Sequence, residues 1–199
     1  KPVRAGTIVG SLKSGIAKEL GFIGEVDVVV GTHDHICNAI GSGSINDGDC
    51  TNTVGTTEGL TYLLSGNQIS TDAIWKYHIS CEPFVLEEMY NTVAWINTSG
   101  VLLKWFVKEF IKDLENEELI NAYTKLNKKM DEDPTNLLIM PHFSGAATPH
   151  MDSMSKGAIL GLTLATKKED IYKALIEGVN FELKLIIDCL KKAGYKISK

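Results

Sequence analysis

Three stretches of the chain place reactive side chains at the ends of short extended runs. The first is Val28-Val29-Val30-Gly31-Thr32-His33-Asp34-His35, where a β-branched run delivers a carboxylate and two imidazoles onto a turn at the start of a helix. Functional groups are often displayed at such strand ends, because the scaffold is rigid and the mouth is open. An Asp there can act as general base on a hydroxyl, or bind a metal ion. Asp is also a common helix cap, so capping the helix that begins near Ile36 stands as the alternative role of Asp34. Zinc binding through His33 and His35 is the weaker option. Residues two apart share a face only in extended chain, and the neighbourhood offers no third ligand.

The second stretch is Asn52-Thr53-Val54-Gly55-Thr56-Thr57-Glu58-Gly59. Glycine lets backbone N–H groups approach an anion, and the two hydroxyls add donors, so the segment can cradle a phosphate. It lacks the GK[ST] ending of a Walker loop, and an ordinary hairpin turn is the competing explanation. The third runs from Pro141 to Gly161, where His142 and His150 sit among glycines and prolines. Either histidine can face a ligand, although exposed or structurally satisfied histidines are the commoner case.

Composition narrows what these groups serve. The chain has 199 residues, 44% hydrophobic and 23% charged, which suits one substantial core or one domain plus part of another. The formal net charge of −5 argues against a general nucleic-acid binder, which needs a positive face. No apolar run is long enough to span a bilayer, and the first residues carry no signal-peptide pattern. The four cysteines, Cys37, Cys50, Cys81 and Cys189, form no CxxC pair, so reduced thiols in the cytoplasm are expected. Lys1 in place of a starting Met points to a processed or excised chain.

Hydrophobic spacing supplies the elements around these stretches. Ile16, Ala17 and Leu20 form a helical face ended by Gly21, and Val26 to Val30 reads as a buried strand. Ile36, Ala39 and Ile40 give another helical face, ended by Gly41-Ser42-Gly43. Cys50 to Val54 and Leu60 to Leu64 are strand-like and flank a Gly55-to-Gly59 turn, and Met89 to Ile96 is a further strand. Leu102, Leu103, Phe106, Val107 and Phe110 then make the stripe of one helix, and Leu119, Tyr123, Leu126 and Met130 that of the next, with Asn116, Glu117 and Glu118 at its start. Leu137 to Met140 reads as a short buried strand. The last helix opens on Thr166-Lys167-Lys168-Glu169, which fits a capping box, and runs to Gly194. The mixture predicts an α/β or α+β fold, with its best internal boundary between Gly41 and Gly48.

Taken in order, the segments VVVGTHDHICNAIGSG, NTVGTTEGL, SGVLLKW, MPHFSGAATPHMDSMSKGAILGLT and EDIYKALIEGVNFELKLIIDCLKKAG resemble the FGGY family of carbohydrate kinases over essentially the whole chain. The resemblance implies an α/β, actin-like ATPase (ribonuclease H-like) fold. Residues 1–43 would end the N-terminal, sugar-binding domain, and residues 44–199 would form most of the C-terminal, nucleotide-binding domain. It implies Asp34 as catalytic base, taking a proton from a sugar hydroxyl as that oxygen attacks the γ-phosphorus, with His35 as a sugar contact. Gly55, Thr56 and Thr57 would form the phosphate-binding hairpin, and Gly100 and Lys104 would lie beside the nucleotide. The implied partners are a sugar or polyol and ATP/ADP with Mg2+ held largely by phosphates and water, and a homodimer is possible; no protein metal ligand, nucleic acid or membrane is expected.

Two departures qualify the resemblance. Where many relatives place a Glu-Arg pair after the glycine of the Pro-x-x-x-Gly loop, this chain has Ala146 and Ala147. The family's N-terminal Asp-x-Gly-[Thr/Ser] motif and the adenine-binding segment after the last helix are absent, so a central piece of a longer kinase is expected, inactive alone. The alternatives are a non-catalytic nucleotide- or phosphate-binding module of the same fold, and metal-assisted hydrolysis by His33, Asp34 and His35 with a distant His142 or His150.

Overall fold

The computed structural model describes residues 1–111, 116–130 and 132–198. A small antiparallel ribbon opens the chain: β1 (Ile8–Ser11) pairs with β2 (Asp27–Val29), and helix α1 (Ser14–Glu19) lies between them. The helix stops at Leu20-Gly21, where Gly21 takes φ +79°, as the glycine signal predicts. The expected buried strand is corrected in its exposure. Val28 and Val29 are open to solvent, because the two-stranded ribbon has no second layer against it in this chain.

Helix α2 (Asp34–Gly41) follows directly and leads into the main sheet, built from β3 (Cys50–Val54), β4 (Glu58–Ser65), β5 (Glu82–Pro83) and β6 (Met89–Ile96) in the order β3-β4-β6-β5, all antiparallel. The strand β6 has the bounds its sequence pattern predicts. The turn between β3 and β4 is tighter than expected, since Val54 pairs with Glu58 and only Gly55, Thr56 and Thr57 are left outside the ladder. The connection from β4 to β5 holds helix α3 (Thr71–Tyr77), capped by Ser70 Oγ, which accepts from Ala73 N–H at 3.3 Å. Neither α3 nor the two-residue β5 is legible in hydrophobic spacing, because α3 buries only Ala73.

Strand β4 is covered on both faces. Leu60, Tyr62 and Leu64 point to one side, where they meet helices α4 (Gly100–Phe110) and α6 (Lys168–Lys192) through Leu102, Phe106, Leu175 and Ile186. Leu63 points to the other and packs with Ile36 of α2 and Phe84. The strand's alternation thus sorts two apolar clusters onto opposite faces, giving a helix–sheet–helix sandwich. Each fully buried Leu or Phe contributes about 1.5–3 kcal/mol by leaving water.

Helix α5 (Asn116–Lys128) adds Ala122 and Leu126 to the larger cluster; the side chains of Asn116, Glu117 and Glu118, expected to favour its start, lie outside the described residues. Strands β7 (Leu138–Met140) and β8 (Ala158–Leu160) form a second ribbon under α6. The expectation of a buried strand over Leu137 to Met140 holds for Leu137 and Ile139, whereas Leu138 and Met140 face outward in the period-two alternation. Helix α6 crosses β7 at Gly178, where a Cβ would lie 2.8 Å from the Ile139 carbonyl oxygen. The predicted cap of α6 is one residue out of register: Lys167 is the N-cap, and Asp170, not Glu169, accepts its N–H at 2.8 Å. Thr166 instead accepts from Thr163 N–H, and Glu169 pairs with Lys129 at 3.5 Å.

Among the described residues no helix is long and apolar enough to cross a membrane. The four cysteines are free, but differ in setting. Cys37 is exposed on α2, whereas burial pushes the Cys50 thiol up to about 11 and raises those of Cys81 and Cys189. Only the thiolate attacks a disulfide reagent, and a thiol near 11 is about one part in a thousand thiolate at pH 8. A chromogenic disulfide reagent at pH 8 is therefore expected to show one fast equivalent, mapping to Cys37, with the others released on unfolding. Fast labelling of Cys50 would contradict its burial.

Candidate functional site

The Asp34 turn is set by an abrupt change of backbone. His33 is extended (φ −63°, ψ 146°) and Asp34 is the first residue of α2. Asp34 is therefore not the helix cap. Its Oδ1 accepts the His35 N–H at 2.9 Å and lies 2.8 Å from His33 Nδ1, while the side chain stays 86% exposed. The first turn of a helix favours a negative group there. The bend also stacks the His33 and His35 rings at 5.0 Å, although neither spacing nor helix geometry alone would pair them. With Asp34, three potential donor atoms lie within 4.8 Å of one another, so the turn adds a third donor that the spacing of the two histidines alone did not supply. His35 reaches toward the sheet: its Cε1 is 3.9 Å from where a Cβ on Gly59 would sit. Its Nδ1 is buried and makes no hydrogen bond among the described residues.

The Gly55-Thr56-Thr57 tip is exposed, but it is braced from behind by the start of α4. Ser99 N–H and Val101 N–H donate to the Thr56 carbonyl at 3.2 and 3.3 Å, and Gly100 N–H donates to the Gly55 carbonyl at 3.0 Å. The amides that a helix N-terminus leaves unpaired are thus spent on the hairpin. The contact is so close that a Cβ on Gly100 would lie 2.5 Å from Gly55 O. Lys104 is exposed one turn further along α4, at the i+4 position from Gly100. Among the described residues, the amides and hydroxyls of Thr56 and Thr57 have no protein partner, so the tip presents donors outward.

A residue passed over in the sequence completes this brace. Glu58 is 5% exposed; its Oε1 accepts from Asn52 Nδ2 at 2.6 Å and its Oε2 from the Ser99 hydroxyl at 2.7 Å. The carboxyl group ties β3, β4 and the start of α4 together. The available signal was parity: Glu58 shares its strand face with Leu60, Tyr62 and Leu64, so it had to point into the core and find partners there.

One end of each segment opens onto a cavity of about 480 Å3, whose lining includes neither Asp34 nor Gly55 and Thr56. His33 and His35 line it from the α2 side, Thr57, Glu58 and Gly59 from the hairpin, and Trp95 and Asn97 from the end of β6. Asn38 Nδ2 donates to Thr53 Oγ1 at 2.7 Å, which fixes α2 against β3 and holds the two sides in register. The Pro141–Gly161 segment borders the same wall: Asn97 Nδ2 donates to the Ser144 carbonyl at 3.3 Å, and Thr148 N–H to the Trp95 carbonyl at 3.2 Å. Ala146 and Ala147 are buried beneath it. His142 and His150 gather with Glu182 in a group separate from His33, Asp34 and His35, so the structure does not bring His142 or His150 to the His33–Asp34–His35 turn as the metal-hydrolase alternative requires.

Comparison with known proteins gives a consistent set of relatives. Residues 50–199 match the C-terminal domain of the FGGY family of carbohydrate kinases. A xylulose kinase from Staphylococcus epidermidis is 29% identical over 196 residues, covering 98% of this chain and 38% of that protein. Among solved structures, a xyloylose kinase from Brucella ovis superimposes with a TM-score of 0.78 at 22% identity, and a gluconate kinase from Lactobacillus acidophilus with 0.76 at 22% identity. Each structural match covers 98% of this chain and 38% of the other. The chain thus spans well under half the length of the proteins it matches.

Proposed function

The chain belongs to the FGGY family of carbohydrate kinases, and from that premise we propose that it works within a longer enzyme that transfers the γ-phosphate of ATP to a hydroxyl of a sugar or polyol. The observation that carries this reading is the shared cavity, onto which the histidines flanking Asp34 and the Thr57 end of the hairpin both open. In-line phosphoryl transfer needs a base and a phosphate cradle facing each other, and catalysis is mostly their placement.

In this reading residues 1–43 end the sugar-binding domain and residues 44–199 form most of the nucleotide-binding one. Asp34 accepts the proton of the attacking hydroxyl, for which an exposed carboxylate on a rigid helix start is well suited. His35, with its unpartnered buried nitrogen, is a polar contact for the sugar. Gly55, Thr56 and Thr57 fit a phosphate, since the Gly55 N–H closes the tip onto the Thr57 carbonyl, the amides and hydroxyls of Thr56 and Thr57 are unpartnered among the described residues, and the nearby Glu58 carboxyl is already occupied by Asn52 and Ser99. Gly100 sets the hairpin from behind, and Lys104 adds positive charge on the same helix face. Mg2+ bound with ATP would shield charge on its phosphates. Four free cysteines support a reducing, cytoplasmic setting.

A coupled ADP-release assay tests the reading on the longer protein, with pentoses, hexoses and polyols as acceptors. Acceptor-dependent turnover is expected there, and none from the 199-residue chain. ATP binding without turnover on any acceptor would favour a non-catalytic nucleotide-binding module.

A further inference from the structure

The group formed by His142, His150 and Glu182 is left unused by the kinase reading, and its side chains come from two elements. His142 lies two residues past β7, His150 in the same loop, and Glu182 midway along α6. One donor atom from each lies within 4.8 Å of the other two. His142 Nε2 is 2.9 Å from Glu182 Oε1, and these side chains are only 9% and 14% exposed. The His150 ring stands 5.7 Å from that of His142 on the exposed side.

We propose that this group is a binding site for a divalent first-row metal ion of the zinc class, joining the β7–β8 loop to α6. Two imidazoles and one carboxylate are a common three-ligand set for Zn2+, with water in the fourth position. Metal–donor bonds of about 2.0–2.2 Å place tetrahedral donors about 3.4 Å apart, so the donors need move by little more than about 1 Å. The outer partner is also in place: Ser155 Oγ lies 2.8 Å from His142 Nδ1 and can accept a hydrogen bond from Nδ1–H when Nε2 binds metal. The exposed flank at His150 provides entry and room for water. Because the same loop bonds to Trp95 and Asn97, an ion here would stiffen one wall of the catalytic cavity. The proposal does not depend on the kinase assignment.

The test uses tag-free, metal-stripped chain titrated with Zn2+, followed by calorimetry and thermal melting, and with Co2+, followed by visible absorption. A His33→Ala/His35→Ala background removes the other histidine pair. In that background one equivalent is expected to bind, with tetrahedral Co2+ bands and a rise in Tm of about 5–10 °C at a hundredfold excess over Kd. His150→Ala, at an exposed position, should leave the metal-free Tm unchanged yet weaken binding at least about tenfold, as should Glu182→Gln. No saturable binding in the background, or binding unaffected by His150→Ala, would overturn the site and leave His142 and Glu182 as a buried hydrogen-bonded pair.

Discussion

If the longer protein is the proposed sugar kinase, replacing Asp34 by Asn in it is expected to lower acceptor-dependent ADP release by about 10²–10⁴-fold, the range over which a positioned base acts. The substitution is nearly isosteric, and its cost to folding is expected to be small. Asp34 is 86% exposed, is not the helix cap, and uses one oxygen on a local N–H that an amide oxygen can also accept. A loss of rate cannot then be attributed to collapse of α2. ATP affinity, measured calorimetrically, should change by less than about twofold, because the hairpin that would hold phosphate is tied to α4 and Glu58 rather than to Asp34. Near-normal kcat in Asp34→Asn would remove this residue from the base role. His33, stacked on His35 and next to Asp34, would then be the group to test.

The second large effect is expected at Gly100, by a different route. A methyl group there would sit 2.5 Å from a backbone oxygen, Gly55 O, which no side-chain rotation can relieve. Gly100→Ala must push the start of α4 away from the hairpin, weakening three amide-to-carbonyl hydrogen bonds at once. Overpacking of this kind costs about 1–3 kcal/mol, to be read as a lower urea midpoint with unchanged m-value. In the longer enzyme the displaced tip should raise the KM for ATP by about tenfold or more, with a smaller change in the sugar KM. The split matters: equal rises in both would indicate general loosening of the fold instead of a displaced phosphate hairpin.

Much of the architecture was legible because it is local. Strand β6 and helix α6 each carry a long periodic pattern with a stop signal, and both formed where expected, α6 with its cap shifted by one residue. The shift has a simple cause. Asp170 competes with Glu169 for the capping position, and the shorter side chain three residues beyond Lys167 meets its N–H. Exposure was less legible than element type. A β-branched run at Val28 to Val30 has the composition of a buried strand, but burial depends on what lies across from it, and β2 has only β1 beside it.

The candidate site divides along the same line. The sequence by itself determined the family likeness and the chemistry of the two segments that border the cavity: a carboxylate between two histidines at a helix start, and a glycine–threonine hairpin, of which His33, His35 and Thr57 reach the lining. These are runs of adjacent residues, and their local backbone follows from β-branching, glycine and turn chemistry. Only the tertiary structure decided that the two sides open onto one cavity, that Glu58 turns inward to brace the hairpin against Ser99, and that His142 meets Glu182 forty residues away. Those meetings are set by which faces of α2, β4 and α6 pack together. Packing selects among long-range pairings that hydrophobic patterning allows but does not rank.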